Sequence, residues 1–177
     1  MNLEKNEHKL NNIKLNQEIN DSFEFARLAH ANQKYGDEPY ENHILEVRAV
    51  ARRFGFSEDA YPDLHIGINL HDVIEDTGYS RNDLNMFSKR GVELAWRVTD
   101  EDGNDRKSKK LATYPKIVAD EEAVILKLCD RIANVERMGK LAKYKAEQPS
   151  FREHLYKKEH NLTQDLWEHL ELFLKTN

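Results

Sequence analysis

The stretch Leu70-His71-Asp72-Val73-Ile74-Glu75-Asp76-Thr77 decides how this chain is read. His71 and Asp72 are adjacent, and Glu75 and Asp76 follow one helical turn later. Residues four apart share a helix face, which pairs His71 with Glu75 and Asp72 with Asp76. Four ligand-capable side chains therefore crowd one turn of an otherwise apolar segment. Ile66, Ile68 and Leu70 precede them, and Val73 and Ile74 lie between them. Three carboxylates this close repel one another unless a cation sits among them. A bare His-Asp pair is more often a helix end with solvated acids and one stray histidine. The rest of the chain reverses that reading.

Outward from the motif, every apolar segment has helical periodicity and none alternates as a strand would. Asn20-Asp21-Ser22 offers N-caps for a helix to about Gln33, with Phe23, Phe25, Ala26, Leu28 and Ala29 as core. Tyr35 to Pro39 is a turn, and Pro39 holds Glu38 extended. A helix over 41–54 has His43, Val47 and Val50 on one inward face. One helix over 63–74 carries the motif. A short helix over 81–89, broken by Gly91, precedes another over 92–98. A charged connection over 99–110 leads into 110–118, where Pro115 ends or kinks a helix. Asp120 caps a helix over 121–141 with Val124, Ile125, Leu128, Ile132 and Val135 as core. A Lys-rich link over 141–150 precedes an amphipathic helix over 151–174, with Leu155, Leu162, Leu166, Trp167, Leu170 and Phe173 as packing positions. Residues 1–19 are predicted as a polar N-terminal arm, and 20–177 as a single all-α domain.

Bulk properties narrow the function classes. The chain has 177 residues, 39% hydrophobic and 33% charged, enough for one domain with a core. A net charge of −5 argues against a nucleic-acid or anionic-membrane binder driven by overall charge. The one cysteine, Cys129, lies in an apolar run, reads as core, and allows no internal disulfide. A reducing, cytoplasmic setting fits this. The Lys-, Asn- and Glu-rich start is not a signal peptide, and no apolar run approaches membrane-spanning length. Nothing in the sequence fixes an oligomeric state.

His43 and Asp130 complete the constellation. Each lies on the predicted inward face of its helix, yet each is polar, and a buried ionised Asp without a partner is costly. Read singly, His43 is a hydrogen-bonded core histidine and Asp130 a partner for Arg131 or Lys127. Together, His43, His71, Asp72 and Asp130 supply two imidazoles and two carboxylates from three helices. That set suits a divalent ion such as manganese, iron, zinc or magnesium.

The order His43, His71-Asp72, Asp130 resembles that of the HD-domain metal-dependent phosphohydrolases. Within them, the chain is most similar to the hydrolase domain of RelA/SpoT-type alarmone enzymes and their small single-domain relatives. The segments that carry the resemblance are Ala29-His30 with Gln33-Lys34, Pro39 to His43, Leu70 to Thr77, Val98-Thr99, and Lys127 to Asn134. The resemblance implies an HD-domain helical bundle, one manganese ion, and removal of the 3′-pyrophosphate of (p)ppGpp or a related nucleotide. It implies His43, His71, Asp72 and Asp130 as metal ligands and Glu75 and Asp76 as the catalytic pair. Lys34 stands where the family has a basic residue facing the nucleotide, and Asn134 where it has a nucleotide-side asparagine. The chain departs from the pattern at Ile44, in place of a proline, and at Tyr35, in place of a second basic residue. The glycine of that turn is displaced to Gly36. The other readings are a nucleotidase or phosphodiesterase of broader specificity, and an HD-fold module that binds nucleotide without turnover.

Overall fold

The computed structural model describes residues 2–137 and 140–177, with side chains from Lys14 onward. It is helical almost throughout. The helices are α1 (Asn2–Ala29), α2 (Glu41–Arg53), α3 (Pro62–Leu70), α4 (Val73–Asp76), α5 (Lys89–Val98), α6 (Arg106–Val118), α7 (Glu121–Glu136), α8 (Leu141–Leu155) and α9 (Gln164–Thr176). A two-residue antiparallel ladder, β1 (Lys34–Tyr35) with β2 (Glu38–Pro39), closes the turn before α2. Gly36 supplies the left-handed residue this turn needs, at φ 67°. Among the described residues, no helix is long and apolar enough to cross a membrane.

Helix α7 is the central element and packs against α2, α5, α6 and α9. Its expected core residues Val124, Ile125, Leu128, Ile132 and Val135 are all fully buried. Helix α3 is buried on every side from Leu64 to Leu70, and its two polar residues are hydrogen-bonded: His65 Nε2 to Phe56 O, and Asn69 Nδ2 to Ile19 O and Ser22 Oγ. Its residues divide between two apolar clusters. Leu64 and Ile68 join the cluster around α7. Ile66 and Leu70 join the cluster that includes Ile19 and Ala26 of α1. The motif thus emerges where the two clusters meet.

Several boundaries differ from expectation. Asn20-Asp21-Ser22 does not start a helix, because α1 runs through it. Ser22 is buried, and its hydroxyl bonds back to Ile19 O at 3.0 Å. The inward stripe is Ile19, Ser22 and Ala26, while Leu28 is exposed. The expected 63–74 helix divides at His71-Asp72, where Asp72 takes φ −104°, ψ −3°. Helix α6 starts at Arg106, capped by the Asp105 carboxylate accepting from Ser108 N at 2.8 Å. The Lys-rich link 141–150 is helical, as part of α8, with Tyr144 and Phe151 buried on its inner side. The expected 151–174 helix is interrupted between α8 and α9, and Leu162 is exposed.

Gly91 does not break a helix; it lets α3 and α5 touch. A Cβ there would stand 2.5 Å from Ile66 Cγ2, and one at Gly67 would stand 2.9 Å from Leu94 Cβ. Overpacking a rigid contact typically costs about 1–3 kcal/mol. Gly91→Ala should therefore lower the denaturant midpoint despite alanine's better helix propensity. Gly78→Ala, with nothing within 4 Å, should leave the midpoint near wild type.

Candidate active site

The four expected ligands come from three places. His43 sits on the inner face of α2, His71 and Asp72 form the junction between α3 and α4, and Asp130 sits on α7. One ligand atom from each of His43, His71 and Asp72 lies within 4.8 Å of the others. Asp130 closes the group, with Oδ1 3.3 Å from His43 Nε2 and 4.0 Å from His71 Nε2. Asp72 Oδ2 lies 3.1 Å from His71 Nε2 and 3.9 Å from His43 Nε2. Both histidines are almost wholly buried.

These residues fit a divalent ion. His71 Nδ1 bonds Ile68 O at 2.7 Å, which assigns the proton there and turns Nε2 toward the carboxylates. His71 Nε2 is buried and makes no well-aligned hydrogen bond, though Asp72 Oδ2 stands 3.1 Å away, so its lone pair could serve a cation held between them. Two imidazoles and two carboxylates form a borderline-to-hard donor set. Burial alone would lower the pKa of His71, but Asp72 and Asp130 outweigh it and push it up to about 9. The same two carboxylates that raise it would attract a divalent ion.

Lys127 is the second source of compensating charge. It is buried one turn before Asp130, with Nζ 3.3 Å from Asp130 Oδ2. Burial would lower its pKa, but Asp130, Asp72, Glu75 and Asp100 together raise it. Burial pushes the Asp130 carboxyl up, and Lys127 and His43 more than reverse that, holding it well below the usual carboxylate range. Arg131, the other expected partner of Asp130, points away: it donates to Tyr144 O at 2.8 Å and lies over the Phe151 ring.

Glu75 and Asp76 are exposed at the rim, each with one carboxylate oxygen fixed. Glu75 Oε2 accepts from Asp100 N at 3.0 Å, and Asp76 Oδ2 accepts from Gln33 Nε2 at 2.9 Å. Burial raises the pKa of Glu75. Asn134 is turned inward. Its Nδ2 donates to Asp130 Oδ1 at 2.6 Å, and its Oδ1 accepts from Tyr35 OH at 3.1 Å. Lys34 is exposed on β1 and makes no side-chain hydrogen bond or ion pair among the described residues. Sequence reading passed over Tyr40, whose hydroxyl donates to Asp72 Oδ2. The available signal was its place one turn before His43.

No family model matches the chain. It is 31% identical over 125 residues, 66% of its length, to the bifunctional (p)ppGpp synthase/hydrolase SpoT of Escherichia coli strain K12. It is 32% identical over 132 residues, 70% of its length, to the guanosine-3′,5′-bis(diphosphate) 3′-pyrophosphohydrolase of Vibrio cholerae. It spans 17% and 18% of the lengths of those two enzymes. The solved structure of a metazoan ortholog of SpoT that hydrolyzes ppGpp superposes with a TM-score of 0.74 at 18% identity, covering 89% of this chain and 94% of that one. The fold is therefore the helical HD-domain fold. Over those 125 to 132 residues the chain is similar to alarmone hydrolases, and it shares the fold of the solved SpoT ortholog.

Two outcomes test the electrostatics. Asp130→Ala and His71→Ala should each strip a bound divalent ion, read by elemental analysis after dialysis; full retention in both would contradict the ligand set. Lys127→Met removes the cation that faces four carboxylates, and breaking a buried pair costs about 3–5 kcal/mol. Its melting temperature should fall most in the metal-free protein and recover in part on adding metal.

Proposed function

We propose that the chain is a metal-dependent phosphohydrolase that removes the 3′-pyrophosphate of (p)ppGpp or a closely related nucleotide. The observation that carries this is the convergence of His43, His71, Asp72 and Asp130, with Glu75 and Asp76 held beside them. Those four residues would hold one divalent ion, and manganese suits their two imidazoles and two carboxylates. When bound, the ion supplies Lewis acidity toward water and phosphoryl oxygen. The chain's own residues do the rest. Tyr40 and Asn134 orient the carboxylates of Asp72 and Asp130. Glu75 and Asp76 each keep one oxygen engaged and one side chain at the rim, placed to orient the nucleophilic water and take its proton. The raised pKa of Glu75 brings its basicity closer to that of a general base at neutral pH. The attacking water oxygen bonds to phosphorus, the bond from phosphorus to the ribose 3′ oxygen breaks, and that oxygen takes up the proton given to the carboxylate pair and leaves as the hydroxyl. Lys34, exposed on β1, is available to offset phosphate charge.

The nucleotide-facing turn supports a second reading, a nucleotidase or phosphodiesterase of broader specificity. Tyr35 stands where relatives have a basic residue and ties up Asn134 Oδ1, so the nucleoside contacts need not be those of the longer enzymes. A panel with manganese containing ppGpp, deoxynucleotides, cyclic dinucleotides and phosphorylated nicotinamide dinucleotide separates the readings. Tight nucleotide binding without turnover of any of them would favour the binding module.

Glu75→Gln and Asp76→Asn keep shape but lose basicity. Each should lower single-turnover hydrolysis about 10²–10⁴-fold, with metal content and substrate affinity near wild type. An undiminished rate in both would remove the catalytic role of the pair.

A further inference from the structure

A chain of four contacts joins the metal-ligand Asp72 to the rim carboxylate Asp76 through residues outside both roles. The Tyr40 hydroxyl donates to Asp72 Oδ2. The Tyr40 ring stacks on His30, with centroids 4.2 Å apart and planes 25° from parallel. His30 Nδ1 lies 2.7 Å from Gln33 Oε1. Gln33 Nε2 donates to Asp76 Oδ2 at 2.9 Å. An ionised carboxylate only accepts, so the Gln33 amide nitrogen must face Asp76, its oxygen must face His30, and His30 must carry its proton on Nδ1. Every polarity in the chain is then fixed by the carboxylate at its end.

The anchorage is rigid at the inner end and open at the outer one. His30 is 3% exposed and Tyr40 5%. The backbone repeats the connection, with Gln33 N donating to His30 O at 2.8 Å and Tyr40 N to Gln33 O at 3.2 Å. Asp76 itself is exposed, and an exposed carboxylate on a one-turn helix has many rotamers unless something holds it. Helix α1 brings His30 to this point through its buried Ile19, Ser22 and Ala26.

We propose that Gln33 is a positioning residue for Asp76, with His30 and Tyr40 fixing its orientation relative to Asp72. This rests on the hydrolase reading above and deepens it. Gln33 acts through Asp76 and not on substrate. Its loss should lower the rate at saturation and leave KM nearly unchanged.

The test is a mutant cycle in the full-length, manganese-loaded protein, with ppGpp or whichever panel substrate turns over. Gln33→Met keeps length and removes the amide; it should lower kcat about tenfold with KM within about twofold. Gln33→Glu keeps the shape but sets a carboxylate against Asp76, and should lower kcat further. In an Asp76→Asn background, Gln33→Met should add less than about twofold, because residues acting through one group are not additive. Gln33 is half-buried in the turn after α1 and outside the core; far-ultraviolet circular dichroism and metal content at the wild-type level confirm that the loss is local. A full additional loss in the Asp76→Asn background, or a Gln33→Met rate equal to wild type, would overturn the positioning role while leaving the hydrolase reading intact. A metal-loaded wild type that turns over no substrate would overturn the hydrolase reading, and the positioning role with it.

Discussion

The structure depends on keeping several carboxylates together in a place mostly shut off from water. Asp72 and Asp130 come from separate helices and point at the same two buried imidazoles. Each would be too costly to bury ionised without opposite charge nearby. Lys127 supplies part of that charge, and a divalent ion held by the four side chains would supply the rest. A charge cluster of this kind needs a stiff frame, since small displacements in a low-dielectric site change the energy steeply. The frame is α7 at the centre, with α2 and α3 packed on it.

The break at His71-Asp72 follows from the same constraint. Ending α3 there lets His71 stay inside, bonded to Ile68 O, while Asp72 reaches Tyr40 and both histidines. The close contact of α3 and α5 through Gly67 and Gly91 holds the end of α3 in place. Packing far from the ligands thus sets the ligand geometry.

Much of this was legible in the sequence because the chemistry demands rare residue types in apolar surroundings. His43 and Asp130 stood out as polar residues on faces otherwise built from valine, isoleucine and leucine, and the structure buries His43 and half-buries Asp130 beside His71. The core of α7 was legible for the same reason. What stayed hidden lacks local punctuation. No glycine or proline marks the break at His71-Asp72. Asn20, Asp21 and Ser22 look like caps, but Asn20 and Asp21 lie on the outer face of α1 and Ser22 satisfies itself by bonding Ile19 O. The Lys-rich start of α8 hid a helix whose inner side buries Tyr144, Phe151 and Leu155. Asn134 donates to Asp130, a pairing that spacing of four residues allowed but did not require.

The central claim is that the two histidines and two aspartates exist to hold one ion. Anomalous diffraction from a manganese-soaked crystal, collected on both sides of the manganese absorption edge, tests it directly. The account predicts a single strong anomalous peak bounded by His43, His71, Asp72 and Asp130. A peak elsewhere, or none at this position under saturating manganese, would contradict it.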